Sequence, residues 1–145
     1  MYAGCEEIAP GIYRGSIPSK DHLGLYFGAV VYCTNADFDT LTGNTRSSTT
    51  LSFHLDDIID NPDRVVACVN YVVDVIAKGD RAVAVCSSGI NRSGIFCLLV
   101  LLKLGYTLED GLDLFDHQYM GRPYGNVQNM IKPILPFLGL TSEPT

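Results

Sequence analysis

A thiol, several hydroxyls, two glycines, an amide and an arginine are gathered in one stretch, Val85-Cys86-Ser87-Ser88-Gly89-Ile90-Asn91-Arg92-Ser93-Gly94. A short apolar run, Val83 to Val85, leads in, and a longer one, Ile95 to Leu102, leads out. Five residues separate Cys86 from Arg92. A loop of that length, closing onto a helix N-terminus, can aim successive backbone N–H groups at one anion, and the helix dipole adds to their field. Gly89 admits backbone conformations that a side chain forbids. Arg92 supplies a planar fork matched to phosphate oxygens. The same positive field lowers the pKa of a thiol, so Cys86 is expected to be a thiolate near neutral pH. A thiolate facing a bound phosphate is placed for nucleophilic attack.

These residues must be positioned by a strand before the loop and a helix after it. The chain around them supplies both. Arg81–Val85 reads as a strand and Ser93–Leu104, apolar nearly all round, as a buried helix stopped by Gly105. Upstream, Gly28–Cys33 is a β-branched run expected to form a central strand, and Thr50–Leu55 a further short one. Ile8–Ser16 reads as a turn feeding a short edge strand, after a loose lead-in over residues 1–7. A short helix is expected over 20–27 and a loop over 42–49. Asn61-Pro62 reads as N-cap and first helical residue. Val65, Val69, Val72, Val73 and Ile76 then follow at helical spacing, and Lys78-Gly79 closes that helix. Thr107 opens a helix whose apolar face is Leu108, Leu112, Phe115 and Tyr119, ended by Gly121-Arg122-Pro123. Pro133 and Pro136 interrupt the last helical pattern, so a short or kinked helix is expected, with a frayed tail over 140–145. Together these elements predict an α/β fold, a central mixed sheet flanked by helices, with the key loop at the carboxyl end of a central strand.

The 145 residues suit a single domain, 1–145, with a core over about 8–138. Hydrophobic residues make up 47% and net charge is -6, so nothing pulls the chain globally toward nucleic acid or an anionic membrane. The ten basic residues never occur side by side. An acidic protein that handles an anion must make its positive field locally. Five cysteines without a C-x-x-C pair, and histidines only at 22, 54 and 117, argue against a zinc site. Reduced thiols and a cytoplasmic location, with access to the nucleus, are expected. No signal peptide, membrane span or lipidation motif is read.

Cys86-x-x-Gly89-x-x-Arg92-Ser93 resembles the signature of the cysteine-dependent protein tyrosine phosphatases, and the chain from Ile8 to Leu138 resembles their small dual-specificity branch. Ile8 through Gly15 is similar to the opening pattern of that branch. The resemblance implies a dual-specificity-phosphatase-like fold and hydrolysis of phosphotyrosine, and of phosphoserine or phosphothreonine, through a cysteinyl-phosphate. It implies no cofactor and no metal. The resemblance makes Cys86 the expected nucleophile, has Arg92 and the backbone of Ser87, Ser88, Gly89, Ile90 and Asn91 hold the phosphoryl oxygens, and has Ser93 support the leaving thiolate. The family's general acid lies some thirty positions before the cysteine. Asp57 is the first candidate, Asp56 the competitor, and Asp60 a weaker one. The family usually carries histidine just before the nucleophile; here it is Val85, so thiolate formation at acid pH is expected to be less complete.

Two alternatives remain on sequence grounds. Gly89-Ile90-Asn91-Arg92-Ser93-Gly94 also resembles the loop of cysteine-dependent RNA 5′-triphosphatases, which would make the partner a 5′-triphosphate RNA end rather than a phosphorylated protein. The other is a phosphate-binding module without catalysis. A low-pKa cysteine is also open to oxidation, with Cys68 or Cys97 as partners for Cys86 and Cys97 read as a core residue.

Overall fold

Val83-Ala84-Val85 lies at the centre of a five-stranded mixed sheet of order β1-β2-β5-β3-β4. The computed structural model describes residues 5–16, 26–33, 49–52, 61–86, 92–123 and 125–140. Within these, the strands are β1 (Cys5–Ala9), β2 (Ile12–Ser16), β3 (Ala29–Tyr32), β4 (Thr49–Ser52) and β5 (Ala82–Cys86). The helices are α1 (Pro62–Ala77), α2 (Arg92–Lys103), α3 (Leu108–Asp116) and α4 (Val127–Ile131), followed by a 3-10 turn over Leu135–Leu138. Only β1 runs antiparallel to its neighbour; β2, β3 and β4 join in parallel register.

Period-two alternation divides the sheet into two buried faces. Ile12, Ala29, Val31, Cys33, Ala82, Ala84 and Cys86 face the main core with the helices. Cys5, Phe27, Val30, Tyr32, Val83 and Val85 form a smaller cluster on the other face. Residues Ser93 to Leu102 of α2 are all buried, so this helix is the centre of the main core. Strands buried on both faces read as continuous apolar runs, which is why β3 and β5 are legible without alternation.

Helix α1 begins with Pro62 at its first turn, and its buried stripe is Val65, Cys68, Val69 and Val72. Asn61 occupies the cap position, but its side chain makes no cap hydrogen bond. Thr107 does cap α3, its Oγ1 accepting from the Asp110 N–H at 3.0 Å. Lys103 ties the end of α2 to the C-terminal turn, its Nζ donating to the Leu138 carbonyl at 2.7 Å.

Three expectations change. The described part of the lead-in is not loose: Cys5–Ala9 forms the edge strand, and Ile12–Ser16 is interior, between β1 and β5. Gly11, at φ +89°, makes the tight turn joining the two, a conformation that favours glycine. Tyr119 does not extend the apolar face of α3; that helix ends at Asp116 and Tyr119 is 98% exposed. The last helix is short, as its prolines require, ending at Ile131 before Pro133. The helix expected over 20–27 falls outside the described residues except for Tyr26 and Phe27. The loop over 42–48, the residues after Ser52 in the expected strand, and the tail over 141–145 lie outside them as well.

Candidate active site

Cys86 ends β5 and Arg92 begins α2, so the thiol and the guanidinium stand at a strand's carboxyl end and a helix N-terminus. A helix of twelve residues places its unpaired N–H groups and positive dipole end there. Ser93, fully buried, brings its Oγ to 3.3 Å from the Cys86 Sγ. A hydroxyl at that distance can donate to a thiolate and favour the charged form. Ser87, Ser88, Gly89, Ile90 and Asn91 lie outside the described residues, as do Asp56, Asp57 and Asp60.

Val85 faces away from Cys86, as alternation along a strand demands. It is fully buried among Val30, Tyr32 and Val83 on the opposite side of the sheet. The apolar residue before the cysteine therefore has a packing reason. On the thiol's own face, the Ser93 hydroxyl is a polar neighbour.

Burial raises the pKa of Cys5, Cys33 and Cys97. Cys5 is pushed up to about 11 by desolvation. Cys97 is pushed up to about 12 by desolvation, with the Arg14 charge opposing, and its Sγ lies 3.5 Å from the Tyr13 carbonyl. Cys33 is held well above the ordinary thiol value by desolvation, then by Cys97, Cys86 and Cys68, with Arg92 opposing. A thiol four units below its pKa is ionised in about one molecule in ten thousand. At pH 7, iodoacetate is therefore expected to alkylate Cys86 first and to leave Cys5, Cys33 and Cys97 unlabelled, as peptide mass mapping would read. Comparable labelling of Cys5 or Cys97 contradicts their burial. Because the folded state keeps these thiols neutral, stability is undiminished below about pH 9 and falls as pH rises toward 11 and 12.

Cys33 is a neighbour that the sequence did not single out. Tyr32 pairs with Val85 in parallel, and the Cys33 N–H donates to the Val85 carbonyl at 2.8 Å. Cys33 and Cys86 are thus the next step of the same ladder, on the same face. Adjacent strands lie about 4.8 Å apart, inside the Cα separation of a disulfide. Cys68 and Cys97 sit on helices α1 and α2 rather than on the sheet ladder, with Cys97 near enough to Cys86 for that thiol to raise its pKa. With hydrogen peroxide, Cys86 is expected to be oxidised to a sulfenic acid, and slow attack by Cys33, whose raised pKa keeps it mostly neutral, to form a disulfide and release water. Mass mapping is expected to recover Cys33–Cys86; a Cys68–Cys86 or Cys86–Cys97 bond would refute this placement.

Arg14 was also missed as a site residue. It is fully buried on β2, opposite Ala84. Its position two residues after Ile12, on the same strand face, was the available signal. Gly94, next to Ser93, has a packing reason too. A Cβ there would stand 2.8 Å from Pro123 Cγ and 3.2 Å from an Arg14 terminal nitrogen.

No protein-family profile and no curated protein sequence matches the chain. Solved structures do. Human DUSP28 superposes with a TM-score of 0.74 at 12% identity, over 96% of this chain and 97% of that one. Tk-PTP in its active form gives 0.73 at 16%, over 92% and 97%. The Cydia pomonella PTP-2 phosphatase gives 0.73 at 13%, over 90% and 89%. The chain has the fold of the dual-specificity and protein tyrosine phosphatases.

Proposed function

We propose that this domain is a cysteine-dependent phosphatase of dual-specificity type, acting on phosphotyrosine and on phosphoserine or phosphothreonine in proteins. The observation that carries this reading is the Cys86 thiol 3.3 Å from the Ser93 hydroxyl, between β5 and the N-terminus of α2 in a phosphatase fold. Cys86 attacks phosphorus as the thiolate. The bond to the leaving oxygen breaks, and Asp57 gives that oxygen its proton, with Asp56 as the competing donor. Arg92 and the N–H groups of 87–91 hold the equatorial oxygens as charge develops. Water then attacks the cysteinyl-phosphate, and Ser93 donates to the departing thiolate. The reading treats residues 1–145 as one phosphatase domain. Five free thiols suit a reducing, cytoplasmic compartment. Among the described residues, no helix is long and apolar enough to cross a membrane.

The acidic balance favours protein over RNA as the bearer of the phosphate, because the basic residues needed to track a nucleic-acid backbone are scattered. Gly94, which contributed to the RNA-triphosphatase resemblance, is accounted for by Pro123 packing against it. Turnover of a phosphotyrosine peptide is expected to exceed γ-phosphate release from 5′-triphosphate RNA. The reverse preference assigns the site to RNA ends. Phosphate binding without hydrolysis of either substrate assigns it to a non-catalytic module.

A further inference from the structure

A fully buried arginine is unusual unless its charge is paired and its donors are used. Arg14 has its charge paired with Glu6 and both terminal nitrogens hydrogen-bonded, while its Nε makes no hydrogen bond. One terminal nitrogen donates to the Gly121 carbonyl at 2.7 Å. The other donates to Glu6 Oε2 at 3.2 Å, an ion pair between β2 and β1. The guanidinium lies over the Phe115 ring, 4.9 Å from its centroid. Glu6 also accepts from the Met120 N–H, at 3.3 and 3.4 Å to its two oxygens. The pair therefore grips two successive residues of the turn after α3, one from each side. That turn leads to Pro123, a buried residue packed on Gly94 in the first turn of α2. Gly94 is flanked by Ser93, whose hydroxyl meets the Cys86 thiol.

We propose that Arg14, with Glu6, is a positioning residue for the Cys86–Ser93 pair, acting through the Met120–Pro123 turn that wedges the first turn of α2. For catalysis, this rests on the phosphatase reading. Arg14 touches no reacting atom. It sets how closely Ser93 is held to the sulfur, and so how well the thiolate is stabilised both before attack and as leaving group. A planar fork is needed to reach the Gly121 carbonyl and Glu6 at once, so lysine does not replace it. The pair resembles other buried ion pairs in that loss of one partner strands the other. Both partners must therefore be neutralised together.

The test uses the full chain and two variants, E6Q/R14M and P123A, the second keeping every charge in place. Iodoacetate alkylation of Cys86 against pH is expected to shift its pKa upward by about one unit in each. S93A should give the same shift, and S93A added to either variant should shift it no further, because both act through one hydroxyl. Turnover of a phosphotyrosine peptide should fall about tenfold in kcat with KM little changed. R14K, which keeps a charge opposite Glu6 but not the planar fork, should show the same loss. An unshifted alkylation profile in P123A, or shifts that add to that of S93A, overturns the proposal even if E6Q/R14M fails to fold. Alkylation needs no substrate. If the parent chain hydrolyses no phosphate ester, the phosphatase reading falls, and the alkylation series still decides the role of Arg14.

Discussion

Replacement of Cys86 by serine is expected to leave a folded protein that releases phosphate from para-nitrophenyl phosphate at least about four orders of magnitude more slowly. The change exchanges one sulfur for one oxygen at a site 1% exposed, so the core around it is preserved. A serine hydroxyl beside Ser93 is not ionised at neutral pH, and it gives a poor leaving group at the second step. Arg92 and the helix N-terminus remain, so inorganic phosphate should still bind. Retained turnover in Cys86→Ser would remove the cysteine from the mechanism. On a phosphotyrosine peptide, Asp57→Ala should lower kcat by about 10²–10³ with KM nearly constant, because a general acid acts only as the bond breaks. An unchanged kcat transfers that role to Asp56.

Phe96→Ala is expected to have the largest effect on stability. Phe96 is fully buried in α2, one turn beyond the residues at the site. Removing a buried phenyl ring costs about 3–5 kcal/mol in lost transfer energy and residual cavity. Domains of this kind are stable by about 5–15 kcal/mol, so at least about a fifth of the margin goes. For a chain of this length, the melting temperature should fall by roughly 6–20 °C. The sheet and helices α1 and α3 are packed around α2, so the void has no free surface into which to collapse. A loss below about 1 kcal/mol by urea unfolding would show that the core repacks.

The local elements were legible because their signals act over a few residues. The valine stripe of α1, the Thr107 cap and the apolar run of α2 each express one turn of helix or one cap bond. The carboxyl-end position of Cys86 followed from a buried strand, a glycine-bearing loop and a buried helix in succession. Strand β1 was not legible. Its two glutamates break the apolar pattern, and the partners that satisfy Glu6 lie at Arg14 and Met120. Tyr119 misled for the opposite reason, since its spacing fits a helix that has already ended.

By itself, the sequence determined the spacing of thiol, arginine and hydroxyl, and the succession of strand, loop and helix that can turn them toward an anion. Those are relations among neighbours, set by backbone geometry and side-chain period. The tertiary structure alone decided what stands around them. It turned Val85 away from the thiol, set Cys33 beside Cys86 through strand register, and packed Pro123 on Gly94. It also joined Arg14 to Gly121 across 107 positions of chain. Contacts at that separation depend on which strands pair and in what register, and no local pattern of residues encodes that choice.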